Sequence, residues 1–154
     1  MKRRGFALLF AHVAAALVLA PSMAEAKGKT AVDVGDVVWK SPSEEAKSRE
    51  KRLSSEIRRA AHKAAKGLDF GKGGRVLVSF TVVEVSVENL GDVVRVTCVL
   101  VGHLKGGGRA RSKIRFGGKP ADQKKLEKQV VVAATDGVMT RLSEMARARA
   151  AESE

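Results

Sequence analysis

The chain is poor in cysteine, which forms disulfides, in aromatic residues, which stack, and in proline, which restricts the backbone. Among 154 residues there are one Cys, three Pro, one Trp, five Phe and no Tyr. With Cys98 alone, no internal disulfide can form, so the fold rests on burial or the thiol pairs with another chain. The shortage of aromatic rings argues against stacking on nucleic-acid bases or sugar rings. Valine and alanine must therefore fill the core.

No spacing typical of a metal site or a reactive thiol is present. Cys98 alternates with apolar neighbours, which predicts a buried and inert thiol that points away from His103 on the same strand. His62 lies on a separate element, and none of the CxxC, HxxxH or HxxE spacings occurs. We therefore predict no metal and no cofactor.

The carboxylates also fail to form an acid–base pair. Glu84 and Glu88 are expected on the solvent face of one strand, about 13 Å apart, with Arg95 as a cross-strand ion-pair partner. A serine, histidine and aspartate set assembled from distant residues stays open, but no motif indicates one. The sequence predicts a protein that is not an enzyme.

The N-terminus has the three parts of a secretory signal peptide. A basic start, MKRR, is followed by an apolar run over 5–20 and by Pro21 with small residues at 24 and 26. An uncleaved anchor is the alternative, but about 16 apolar residues fall short of the roughly 20 that span a bilayer. Residues 1–26 are expected to be removed, leaving an exported protein, periplasmic or secreted, without a transmembrane segment.

Residues 27–40 are predicted to form an N-terminal strand or extended segment, and residues 41–150 one domain. Ser41, Pro42 and Glu44 form a capping box that starts a helix running to about Lys66. Gly67 fits the left-handed position that ends a helix. The apolar stripe of this helix consists of Leu53, Ile57, Ala60, Ala61, Ala64 and Leu68.

Three strand patterns follow, over 75–88, 93–104 and 109–116, and their turn signals predict an antiparallel meander with a first turn at Leu90 and Gly91. The apolar parity of the first run changes, which favours a bulge near Val82 and Val83 over a sheet with apolar residues on both faces. The predicted core face carries Val83, Val85, Val87, Val94, Val96, Cys98, Leu100, Ile114 and Phe116.

A second helix is predicted from Ala121 to about Ala148, with Gly137 allowing a close approach to the sheet or marking a break. Its inner stripe consists of Leu126, Val130, Val131, Ala134, Val138, Leu142 and Met145. The order β-α-β-β-β-α predicts an α+β two-layer sandwich, with three strands, or four with the N-terminal one, covered by two helices. This order is similar to that of small periplasmic modules of cell-envelope assemblies.

The positive charge is high and local. The formal net charge is +12, and residues 27–154 carry +10 from 26 basic and 16 acidic residues. The segment 105–128 alone holds nine basic and two acidic residues. The candidate anion- or partner-binding residues lie on the strands predicted over 93–104 and 109–116 and on the first helix. They are Arg95, Arg109, Arg111, Lys113, Arg115, Arg52, Arg59, Lys63 and Lys66.

Two interpretations of these cations compete. Basic residues on a sheet edge commonly prevent edge-to-edge association, whereas a cationic face also attracts polyanions by counterion release. The sequence thus predicts an exported, non-enzymatic envelope protein with an interaction or structural role. The alternative is a binder of anionic lipid, lipopolysaccharide, wall polymer or, less favoured, nucleic acid.

Overall fold

The computed structural model describes residues 30–41 and 46–152. The predicted signal peptide at 1–26 lies outside the described residues, as do Pro42 and Glu44 of the capping box.

The elements are β1 (Ala31–Trp39), α1 (Lys47–Gly67), β2 (Arg75–Leu90), β3 (Val93–Leu104), β4 (Arg109–Gly118), a short 3-10 helix (Pro120–Asp122) and α2 (Gln123–Glu152). One mixed sheet has the order β1-β2-β3-β4, with β1 parallel to β2 and the other pairs antiparallel. The predicted α+β sandwich is confirmed, with the N-terminal segment as a fourth strand.

The bulge in β2 is also confirmed. The register with β3 shifts between Val82 and Glu84, so Val83 has no partner on β3. Because one extra residue reverses the alternation, Val82 and Val85 face the same side of the sheet. The change of parity in the sequence therefore reflects a single core face.

The first hairpin turn differs from the prediction. Leu90 pairs with Val93, so the turn consists of Gly91, at φ 68°, and Asp92. The pairing is displaced by two positions from the register that a turn at Leu90 and Gly91 produces. An even displacement leaves the paired side chains on their predicted faces. Val83 is the exception: it was predicted on the core face, but as the bulge residue it lines a cavity with Val101 on the opposite face.

Helix α1 ends at Gly67, in agreement with the predicted end at about Lys66, but its start and the conformation of Gly67 differ from the prediction. The N-cap is Ala46, without a side-chain cap, so the cap predicted at Ser41 is wrong. Gly67 is not in a left-handed conformation. Instead the helix ends as Leu68 turns extended, and its N–H donates to the carbonyl of Ala64 at 3.0 Å. The predicted stripe holds, with its Leu53–Ala61 portion buried.

Helix α2 runs without a break past Gly137 and lies close under β3 and β4. A Cβ at Gly137 would stand 3.2 Å from Ser112 Oγ, and one at Gly102 under 3.0 Å from Val138 Cγ1. The glycines therefore permit the close approach. Met145 is partly exposed, contrary to prediction, and Met139 is buried instead.

The core lies between the two helices and one face of the sheet. Helix α1 packs on β1 and α2, while α2 packs on β3 and β4. At the start of this layer, Trp39 Nε1 donates to Ser54 Oγ at 2.9 Å and joins β1 to α1. Within the described ranges, no helix covers the other face of the sheet, which we call the open face.

Candidate functional site: the open face of the sheet

Strand alternation decides which side chains reach the open face. Val96, Cys98 and Leu100 of β3 are fully buried in the core, so the residues between them point to the opposite side. Together with their cross-strand partners on β2 and β4, the open-face residues are Ser79, Thr81, Glu84, Ser86, Glu88, Arg95, Thr97, Val99, Val101, His103, Arg109, Arg111, Lys113 and Arg115.

The four cations of β4 form a row along one side of this face, because β4 is the last strand of the sheet. Lys113 pairs with Val99 and Arg111 with Val101. These two valines are only 2% and 1% exposed although no helix of the described residues covers them. Long basic side chains such as those of Lys113 and Arg111 can cover apolar surface with their aliphatic stems while keeping the charge in water.

The charges of these four side chains are uncompensated. Among the described residues, no carboxylate lies within 4.0 Å of Arg109, Arg111, Lys113 or Arg115. The one side-chain hydrogen bond from this set goes to a neutral group, from Arg115 Nε to Thr97 Oγ1 at 3.1 Å. These side chains can therefore form ion pairs with an anionic ligand.

Arg95 behaves differently from its neighbours. Its Nη1 lies 3.5 Å from Glu88 Oε2 on β2, as the sequence predicted. The pair is partly exposed and contributes little to stability. It nevertheless leaves Arg95 with a carboxylate that an incoming anion must displace.

A cavity of about 440 Å³ opens at one end of the cation row. Its lining combines two valines with charged and polar side chains. The lining residues are Lys40, Thr81, Val83, Val101, His103, Arg109 and Arg111. Sequence reasoning identified only the two arginines as binding residues. Thr81 reaches the cavity as the cross-strand partner of Val101, and Lys40, directly after β1, reaches it because β1 pairs with β2.

The structure separates the α1 cations from the strand cations. They lie in the helix layer, and carboxylates neighbour several of them. Arg59 Nη1 is 3.6 Å from Glu56 Oε1, and Lys63 is near enough to Asp136 to oppose the rise in the pKa of that carboxyl that burial causes. Lys66 lines a separate cavity of about 400 Å³.

Arg52 has a structural partner across the helix layer. Its guanidinium binds Glu127 of α2, which is 2% exposed and lies 3.2 Å from Arg49 Nε. Burial alone raises the pKa of Glu127, but hydrogen bonds from Gln123 and Arg52 and the positive charges of Arg49 and Arg52 bring the pKa below its ordinary value. Glu127 therefore stays charged and joins α2 to α1.

Both edges of the sheet are obstructed. On β4, Arg141 Nη1 from α2 donates to the backbone carbonyl of Arg111 at 2.9 Å. On β1, the pairing register shifts between Val34 and Val37, which marks a bulge. Features of this kind hinder addition of a further strand. The face of the sheet is therefore a better contact surface than its edges.

Other chemistries find little support in the described part of the chain. Burial, with a smaller effect from the charge of Glu84, raises the pKa of Cys98 to about 12, which makes the thiol inert. No group of three His, Cys, Asp or Glu side chains within 30–41 and 46–152 could hold a metal ion. Neither helix in these ranges is apolar enough over a sufficient length to cross a membrane.

Comparison with known proteins gives no family. No protein-family model matches the chain, and no curated protein does. Among solved structures, a Caulobacter crescentus CB15 protein described as a lipoprotein is 10% identical, over 80% of this chain and 92% of that one, with a TM-score of 0.45. The hypothetical protein CT253 of Chlamydia trachomatis is 12% identical, over 72% and 98%, with a TM-score of 0.42.

A minor lipoprotein of Acinetobacter baumannii is 7% identical, over 79% of this chain and 93% of that one, with a TM-score of 0.39. At these identities and TM-scores the likeness carries no argument about function. The role of the chain has to be argued from the geometry of its own residues.

Proposed function

We propose that the protein is an exported, non-enzymatic protein of the cell envelope that binds an anionic partner through the open face of its sheet. The observation that carries this proposal is the row of four β4 cations without a carboxylate within 4.0 Å among the described residues. On an extended strand, Arg109 and Arg115 are about 20 Å apart. A row of that length can contact several anionic groups at once, and each contact releases counterions.

Protection of the β4 edge is the competing explanation for the same residues. Arg141 already occupies the carbonyl of Arg111, the third residue of that edge strand. The four cations, by contrast, project from the face of the sheet, and two of them lie over buried valines. Their position favours contact with a ligand that lies flat on the face.

Export rests on the N-terminal pattern, and it has its own test. A C-terminally tagged full-length chain is expected in the periplasmic or extracellular fraction, and mass spectrometry of the purified protein should find Lys27 at its N-terminus. Retention of intact Met1–Ala26 on a cytoplasmic protein contradicts the proposed location.

Heparin chromatography tests the binding surface with a defined polyanion. A variant with Arg109, Arg111, Lys113 and Arg115 changed to Gln should elute at much lower salt than the unmodified protein. The charge-matched control changes Lys51, Arg58, Lys124 and Lys125, which are exposed in the helix layer. A clearly smaller shift is expected for this control, whereas equal shifts contradict a specific role for the open face.

A further inference from the structure

The open face combines charge with exposed aliphatic side chains, and we infer that its ligand is an anionic lipid. In this inference the cavity beside Arg109 and Arg111 holds the phosphate of one head group, while the open face lies against the membrane surface. The inference rests on the proposed function and names the class of its anionic partner.

The donors around the cavity suit a phosphate. Lys40, Arg109 and Arg111 bring three positive charges to its walls, and Thr81 and His103 add polar side chains. The planar guanidinium can bind two phosphate oxygens at once, and lysine supplies a compact point charge. A head-group phosphate fits easily within about 440 Å³.

The apolar groups next to the cavity distinguish a lipid from a soluble polyanion. Val38 is the cross-strand partner of Thr81 and is 56% exposed. Leu77 lies on the same face, opposite Asp33 of β1, and is 36% exposed. Side chains of this kind gain free energy in the interfacial region of a bilayer, whereas a heparin-like or wall polymer offers them nothing comparable.

A second aliphatic pair lies at the far end of the same face. Leu90 and Val93 pair beside the first hairpin turn and are both exposed. They lie beyond the Arg115 end of the cation row, whereas Val38 lies level with Arg111 on the opposite edge strand. Exposed aliphatic side chains beside a row of charge match a surface that rests on a bilayer without crossing it.

The charge of the β4 row is available to an anionic membrane. Arg49 and Arg52 of α1 bind Glu127, whereas the β4 cations have no carboxylate within 4.0 Å among the described residues. The row can therefore direct its four charges to an anionic membrane. Each basic residue close to such a membrane strengthens binding about fivefold.

Vesicle flotation of the protein without its signal peptide tests the inference. The probes are phosphatidylcholine vesicles with and without phosphatidylglycerol, and the expected result is binding only to the anionic vesicles. Arg109→Gln with Arg111→Gln should weaken that binding roughly 25-fold. The matched control, Lys51→Gln with Arg58→Gln, should change it much less, because charges on the far side are screened beyond about 10 Å at 0.1 M salt.

A second variant separates lipid from soluble polyanion. Val38→Thr with Leu77→Thr should weaken vesicle binding and leave elution from heparin unchanged, since no charge is altered. Unchanged Trp39 fluorescence and an unchanged thermal midpoint verify that each variant is folded.

Three results overturn the lipid inference. Binding to heparin without binding to anionic vesicles refutes it and leaves the proposed function standing. Binding to neither refutes both. Equal losses in the Arg109 and Arg111 variant and in the helix-layer control refute the assignment of the head group to this cavity.

Discussion

Replacing Gly102 by alanine tests how closely α2 lies under the sheet, and therefore which face stays open. The backbone tolerates the change, because Gly102 does not have a positive φ. The new Cβ, however, would stand under 3.0 Å from Val138 Cγ1 and 2.9 Å from Leu142 Cδ1. Carbon atoms in contact are normally about 3.5–4.0 Å apart, so one element has to move.

The magnitude follows from two opposing effects. Replacing glycine by alanine in regular structure stabilises by roughly 0.5–1 kcal/mol, and overpacking a core costs about 1–3 kcal/mol. We expect a net loss of about 1–2 kcal/mol in the free energy of unfolding. For a domain of this size that lowers the thermal midpoint by about 4–8 °C.

Thermal and urea denaturation measure this loss, and Gly67→Ala is the matched control. A Cβ at Gly67 meets nothing within 4 Å, so this variant should be as stable as the unmodified protein or slightly more so. Adding Val138→Ala to Gly102→Ala should recover part of the loss, with a coupling of about 0.5–3 kcal/mol. If Gly102→Ala alone is neutral or stabilising, the close packing of α2 against β3 is wrong.

Three further predictions concern single groups. Glu127→Ala should lower the free energy of unfolding by about 2–3 kcal/mol, less than for a fully buried pair because both arginine partners are about one-third exposed. The pKa of Glu127 is lower in the folded protein than its ordinary value of 4.5, so the charged carboxylate stabilises the fold above pH 4.5 and this stabilisation is lost as the pH falls through the pKa of the folded state. Urea titrations should therefore show a smaller difference in the free energy of unfolding between Glu127→Ala and the unmodified protein at pH 3 than at pH 7. Arg141→Ala should free the carbonyl of Arg111 and produce association that rises with concentration in light scattering, whereas a particle size equal to that of the unmodified protein contradicts the edge-blocking role. Cys98 should react slowly with a thiol reagent in the native protein and rapidly in denaturant, and rapid native labelling contradicts its burial.

The sheet was the most predictable part of the fold. Alternation assigned its core face, and the parity change indicated a bulge near Val82 and Val83, because burial on one side imposes a period of two. Val83 itself was assigned to the wrong face, since it is the unpaired residue of the bulge. The predicted turn lies one residue too early. A turn at Leu90–Gly91 and a turn at Gly91–Asp92 place the paired side chains on the same faces of the sheet, so alternation alone cannot tell the two registers apart.

The helix ends and the partners of the cations were less predictable. The cap at Ser41 satisfied a local pattern, yet the helix begins at Lys47 with Ala46 as its N-cap. That Arg52 binds Glu127 could not be read from the sequence, because the two residues lie on different helices that meet only after folding. Sequence spacing therefore identified the candidate cations but not which of them already have a carboxylate.

The salt dependence of binding tests the central claim most directly. Titration of a fluorescent heparin oligosaccharide at several salt concentrations gives the slope of log K against log salt, which counts the ionic interactions with the polyanion. The account predicts that changing Arg109, Arg111, Lys113 and Arg115 to Gln lowers this slope by about three, because each neutralised anionic group contributes roughly 0.7–0.9 to it. It also predicts a nearly unchanged slope for the variant of Lys51, Arg58, Lys124 and Lys125. An unchanged slope in the first variant, or an equal fall in both, contradicts the assignment of the open face as the binding surface.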